Sequence, residues 1–263
     1  MKRYYGIEFF EKNRSVCYCH QRKYLSLEEK EVYDIILKGL INCRSCITLP
    51  PIKAERVWEI CDMVLDEHCY LFHVDIGKSI IYVYGETELK LEPVYLYDKE
   101  ETDEKMWSLM EKITSLVGPW MRLSKTEQEK AVYQYLKSQV TYKDTHTREC
   151  YECYMPLLEG KGVCIAIAKA AKLLFDFCGF GDSMIVTGRL TRHNRQDDGD
   201  LHAWNMVCLN HKYYHLDITF DLNGGKRHYN LTDDQIKKDR KILTEKLPAC
   251  TTRWNERSFI WSI

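Results

Sequence analysis

Three residue types in the second half of the chain supply the parts of acyl-transfer chemistry: a thiol, an imidazole and a carboxylate. Cys164 follows the turn Gly160-Lys161-Gly162-Val163 and opens the run IAIAKAAKLLFDF over residues 165–177. That run is apolar on nearly all sides, the mark of a buried helix. A thiol at a helix start feels the positive end of the helix dipole and the free backbone N–H groups, which favour thiolate, the nucleophilic form. The same amides stabilise an oxyanion forming beside the sulfur. By position alone, a packed cysteine at a helix start is the commoner case.

His202 opens a predicted strand over Leu201–Leu209, and Asp217 falls in the next, Tyr213–Thr219, with a short turn near Asn210-His211. If residues 210 and 211 form a two-residue turn, Leu209 pairs with Lys212, His202 faces Thr219 and Trp204 faces Asp217. Side chains alternate along a strand, so His202, Trp204 and Asp217 share one face. His202 and Asp217 then become diagonal neighbours, about 7–8 Å apart at the backbone. An odd turn without a bulge would separate them. A nucleophile, a base and a group orienting the base form the logic of covalent acyl transfer. Alone, a His–Asp pair on a shared face is also an ordinary hydrogen bond.

The elements that must position these residues follow from periodicity and punctuation. Ser183–Leu190 reads as a strand after the Cys178-Gly179 helix end, Gly suiting the left-handed position, and Thr191–Asp200 reads as a polar loop. Upstream, Ser26 and Glu29 form a capping box ahead of Val32, Ile35, Ile36 and Leu40, and Ser124 and Glu127 form another ahead of a helix reaching Gln139. Further helices are predicted over Lys53–His68 and over Asp103–Leu116, the latter stopping at Gly118-Pro119. Strands are expected over Tyr70–Asp75, Ser79–Tyr84 and Glu88–Tyr97, separated by Gly77 and Gly85. The expected organisation is an N-terminal α+β extension (1–100), a helical lead-in (101–139) and a core (140–263).

The whole-chain balance excludes several classes. The 263 residues are 45% hydrophobic and 29% charged, enough for a sizeable core. Lysine plus arginine is 38 and aspartate plus glutamate 39, which gives no global field for nucleic acid or an anionic membrane. Glu8, Glu11 and Lys12 interrupt the first apolar residues, and no window approaches a membrane span, so a soluble, cytoplasmic protein is expected. The 12 cysteines are then expected as free thiols. The pairs Cys17/Cys19, Cys43/Cys46 and Cys150/Cys153 have spacings a zinc site also uses, but lack zinc-ribbon flanks, so no metal is expected.

The wording of two segments adds a resemblance. GKGVCIAIAKAAKLLFDFCGFGDSMIVTGRL resembles the nucleophile segment of the transglutaminase-like superfamily, and HAWNMVCLNHKYYHLDITFD resembles its His and Asp segments, in the same chain order. HYNLTDDQIKKD is similar to a tail segment of bacterial members, and the helical lead-in before residue 140 also resembles theirs. The resemblance implies a papain-like α+β fold, with the cysteine on a helix and the His and Asp on adjacent strands. It implies a Cys164–His202–Asp217 triad, no cofactor and a protein or peptide substrate. The implied reaction is a Cys acyl-enzyme formed at an amide, with the acyl group passed to an amine or to water. A cysteine peptidase or deamidase, or a silent interaction module on the same fold, are the alternatives. Departures are Ile165-Ala166-Ile167, where relatives show a Gly-Tyr pair, Phe220 in place of Trp, and a hairpin turn without Asp-Gly.

Lesser candidates surround these three. Tyr154 stands where bacterial relatives place a tyrosine whose hydroxyl could help hold an oxyanion; a packing tyrosine fits as well. Trp204 is expected to cover the His–Asp pair, and His215 to be structural. His193, His211 and His228 are expected in solvent, and Asp197-Asp198-Gly199-Asp200 as a solvated loop that could reach the site rim. The sequence carries no marker of oligomeric state.

Overall fold

The structure is a computed structural model and describes residues 5–85, 88–191 and 199–255. Compactness divides the chain into two units, residues 1–114 and 115–263.

In the first unit, helix α1 (Gly6–Asn13) packs on α2 (Leu27–Ile41), and α2 packs on α3 (Ala54–Glu67). The predicted capping box at α2 is formed: Ser26 Oγ accepts from the Glu29 amide at 3.2 Å, and the Glu29 carboxylate accepts from the Ser26 amide at 2.8 Å. Strands β1 (Ile47–Leu49), β2 (Val74–Tyr84) and β3 (Glu88–Tyr95) make an antiparallel sheet in the order β1-β3-β2. Two predicted strands differ from expectation. Tyr70–His73 is a turn, and the strand starts only at Val74. It then runs through Gly77 to Tyr84, because a bulge between Asp75 and Ile80 absorbs the irregular residues. Helix α4 (Lys99–Trp120) also continues through Gly118-Pro119 instead of stopping there. Proline removes one ladder bond, but Met121 N–H still reaches the Val117 carbonyl at 3.0 Å.

The second unit holds the three candidate residues. Helix α5 (Lys125–Gln139) carries the second predicted capping box. Short parallel strands β4 (Thr141–Tyr142) and β5 (Lys161–Gly162) lead to α6 (Cys164–Phe177), which packs on α5 and on the sheet. Strands β6 (Ser183–Leu190), β7 (Leu201–Leu209), β8 (Lys212–Leu216) and β9 (Arg240–Ile242) form an antiparallel sheet in the order β8-β7-β6-β9. Helices α7 (Ile218–Asp221) and α8 (Asp233–Ile236) follow β8.

The buried α6 is less apolar in its partners than in its sequence. Lys169 pairs with Glu152 at 2.7 Å, Lys172 with Asp176 at 2.6 Å, and Ser183 Oγ donates to Asp176 at 2.6 Å. Every charge named here is buried and paired, as burial demands. Among the described residues no helix is long and apolar enough to cross a membrane. All 12 cysteines carry free thiols.

Candidate active site

Cys164 is the first residue of α6, half-buried, and the segment before it is clamped on both sides. Lys143 N–H donates to the Gly162 carbonyl at 3.1 Å, and Val163 N–H donates to the Cys150 carbonyl at 3.2 Å. Gly160 enters this segment at φ +65°, and a Cβ there would lie 2.9 Å from the Gln139 carbonyl oxygen, so glycine is required. No side chain caps α6, so its first-turn N–H groups remain available to an oxyanion at the sulfur.

The hairpin has the predicted register. Leu209 pairs with Lys212 and Asn205 with Leu216, across a turn in which Asn210 and His211 take φ of 50° and 61°. Those left-handed values belong to a two-residue turn that matches strand twist. The second strand is shorter than expected, however. It ends at Leu216, so Asp217 stands on no strand and instead caps α7, its Oδ1 accepting from the Phe220 amide at 3.2 Å. The turn into α7 brings the carboxylate back over β7, where Oδ2 meets His202 Nε2 at 2.7 Å. Cys164 lies near enough to the imidazole to help raise its pKa.

The electrostatics of the pair follow from this arrangement. Burial alone would push His202 down, but the hydrogen bonds and charges of Asp217 and Cys164 outweigh it and raise its pKa to about 9. Burial would push Asp217 up. The His202 hydrogen bond and charge, then the Arg240 charge and the Phe220 amide, hold its carboxyl below the usual range. The site therefore favours an imidazolium beside a carboxylate.

Sequence reasoning missed Arg240. This buried residue of β9 donates from Nη2 to Asp217 Oδ2 at 2.6 Å, and its Nη1 pairs with Asp239. Its guanidinium lies 4.3 Å from the Phe220 ring centroid and 5.8 Å from that of Trp204. Phe220 in turn sets its ring edge-on to His202 at 4.9 Å. His228 is half-buried rather than solvated, because Nδ1 faces Asp221 Oδ1 at 3.2 Å and the ring packs on Phe220. His211 is exposed. His193 and most of the acidic run, Asp197 and Asp198, lie outside the described residues.

Of the lesser candidates, Trp204 stacks on His202, ring centroids 5.9 Å apart and planes 18° from parallel. Gly188 of β6, paired with His202 across the ladder, makes room for it: a Cβ there would approach the indole to 2.7 Å. Tyr154 stands half-buried at the head of a helical turn over Met155–Glu159. Two other phenols feel the Cys164 sulfur. The Tyr142 hydroxyl is pushed up by burial and then by Cys164. Tyr151 is raised first by Asp144, then by Cys150, with a smaller part from Cys164.

Residues 121–218 match the family model of the transglutaminase-like superfamily, a span that contains Cys164, His202 and Asp217. This segment is transglutaminase-like. Among curated proteins none matches the chain. Two solved structures are similar to it: one described as a TGase, at 15% identity and a TM-score of 0.36, and a candidate cysteine protease from Cytophaga hutchinsonii, at 12% and 0.33. The first match covers 69% of this chain and 52% of the TGase, the second 56% of this chain and 64% of the other. The transglutaminase-like match ends at residue 218, so Arg240, which holds Asp217, lies beyond it.

Proposed function

We propose that this chain is a transglutaminase-like thiol enzyme that forms an acyl-enzyme on Cys164 at an amide of a protein or peptide. The observation that carries this reading is His202 bonded to Asp217 at 2.7 Å, with Cys164 near enough at the start of α6 to favour the charged imidazole. The thiol proton passes to His202, and Asp217 fixes the ring and balances its charge. The sulfur attacks the amide carbonyl, and the oxyanion is met by N–H groups at the start of α6. His202 then gives its proton to the leaving nitrogen, and a thioester remains. An amine or water attacks it while His202 takes the attacking proton, and the thiol is restored. Glutamine side chains with an amine acceptor give transglutamination; water gives peptidase or deamidase activity. Both use the same acyl-enzyme.

Intact-mass spectrometry after mixing with an activated acyl ester tests the common step. One acyl group is expected on wild type, none on Cys164→Ala, and an unchanged amount on Cys19→Ala. Cys19 is the informative control because its sulfur also meets an imidazole, His68 Nε2, at 3.6 Å. Acylation that survives Cys164→Ala, or that is lost equally in Cys19→Ala, would overturn the assignment. Adding a fluorescent amine then separates aminolysis from hydrolysis.

A further inference from the structure

His215 takes no part in the proton transfers above, yet it is fully buried and linked through Trp204 to the base. Trp204 Nε1–H donates to His215 Nδ1 at 3.0 Å. An indole N–H is only a donor, so Nδ1 must be the acceptor, and the neutral ring carries its proton on Nε2. Nε2 faces Asp233 Oδ1 at 2.9 Å. The other carboxylate oxygen, Oδ2, accepts from the Cys250 amide at 3.2 Å, and the His215 main chain is bonded in both directions to Leu231. Burial keeps His215 neutral, lowering its pKa against the opposing pull of Asp233.

The same assignment decides between two uses of this cluster. His215, Asp233 and Cys250 place their ligand atoms within 4.8 Å of one another, close enough to consider a metal ion. A metal on Nε2 would need that nitrogen's lone pair while Nδ1 still accepts from Trp204, which would leave the ring an imidazolate. The hydrogen bond from Trp204 therefore argues for a second His–Asp pair whose object is the indole. We propose that His215 and Asp233 are positioning residues for the candidate base: they hold Trp204 flat against His202, where the indole face shields and supports the imidazolium formed as Cys164 loses its proton. The proposal rests on the thiol-enzyme reading. No proton leaves the Cys164–His202 pair for His215; the second pair acts only through the ring between them.

The groups that face each imidazole set the expected size. His202 meets Cys164 from α6, Asp217 from the head of α7, the Phe220 ring, and through Asp217 the Arg240 guanidinium of β9. His215 feels Asp233 and Lys237 from α8 and its far end, and Arg240. Arg240 also draws on the Trp204 ring, so the indole's support for His202 is shared.

The test follows the His202 ring by NMR across pH in the full-length protein. Trp204→Leu should lower its titration midpoint by roughly 0.5–1 unit. His215→Gln and Asp233→Asn should lower it by smaller steps of the same sign. In a Trp204→Phe background, which keeps a ring face but has no N–H to hold, His215→Gln should add nothing further. If His215→Gln does not fold, Asp233→Asn carries the comparison. Variants that melt earlier while the His202 midpoint stays fixed would reduce the second pair to a structural role and overturn the proposal. A wild-type midpoint indifferent to Cys164→Ser and Asp217→Asn would instead sink the thiol–imidazole reading itself, and the second pair's role with it.

Discussion

His73 in the first unit and His202 in the second are both buried imidazoles, and they favour opposite charge states. His73 Nε2–H donates to the Leu40 carbonyl at 3.0 Å, its ring stacks on Tyr95 at 5.6 Å, and its Nδ1 is buried without a partner. Burial lowers its pKa to about 4, the Leu40 hydrogen bond opposing only in part. Burial pulls His202 the same way, yet its pKa is raised to about 9. The difference is what the ring nitrogens meet. A carbonyl dipole accepts a proton's hydrogen bond without compensating a charge; a carboxylate held in place by a buried arginine compensates it. Burial sets the stakes for an imidazole, and the charge of its neighbour sets the sign.

If that contrast is right, its weakest point is the arginine behind Asp217. Arg240→Met leaves a buried carboxylate with one of its two cationic partners gone. Removing one partner of a buried pair costs about 3–5 kcal/mol; with His202 still present, the loss in denaturant unfolding should fall near the lower end. A loss under about 1 kcal/mol would show that His202 alone suffices to keep Asp217 charged.

Asp217→Asn breaks the same contrast from the other side, since an amide keeps the shape and loses the charge. Acylation should slow by roughly 10- to 10³-fold, less than in a serine triad because a thiol is more acidic than a hydroxyl. Equal slowing in His215→Ala would mean that the indole support matters as much as the carboxylate. Unchanged acylation would remove Asp217 from the site.

Much of this site is legible in the amino-acid sequence. The Gly160–Val163 turn and the apolar run mark Cys164 as a helix start, and the hairpin register follows from a two-residue turn. Both signals are local, so the sequence contains them whole. Asp217 is reached for a partly wrong reason: alternation places it on a strand face, whereas it meets His202 as a helix cap. Arg240 has no local signal. Its strand has three residues, Arg240-Lys241-Ile242, mostly polar and without alternation, and it exists only because β6 offers an edge. The same holds for β1, whose Ile47-Thr48-Leu49 pairs with the distant β3. Long-range pairing leaves little trace in a short strand, so the residue that holds the Asp217 carboxylate is the one that sequence pattern cannot reach.

On the alkaline side, stability reads the charge on His202. Its folded pKa, about 9, lies above the ordinary 6.5, so the stabilisation is complete below about pH 6.5 and is lost as pH rises through 9. Between about pH 7 and pH 9.5 wild type should lose roughly 2 kcal/mol more than His202→Gln in denaturant unfolding. Parallel curves would mean that the imidazolium is not stabilised in the folded protein.

The acid side reads His73, where the sign reverses. Its folded pKa, about 4, lies below the ordinary 6.5, so its neutral, buried form supports the fold above 6.5. As pH falls, the unfolded chain binds the proton first, and stability drains until the folded state also protonates near 4. The control is His73→Gln, whose amide can still donate to the Leu40 carbonyl but cannot take a proton. Between about pH 7 and pH 5.5 wild type should lose roughly 1.2 kcal/mol more than this variant. The effect is the smallest of the set, but it isolates burial from charge pairing, because no carboxylate enters it. If wild type and His73→Gln lose stability in parallel, then burial is not what holds His73 neutral, and the contrast with His202 has to rest on Asp217 and Arg240 alone.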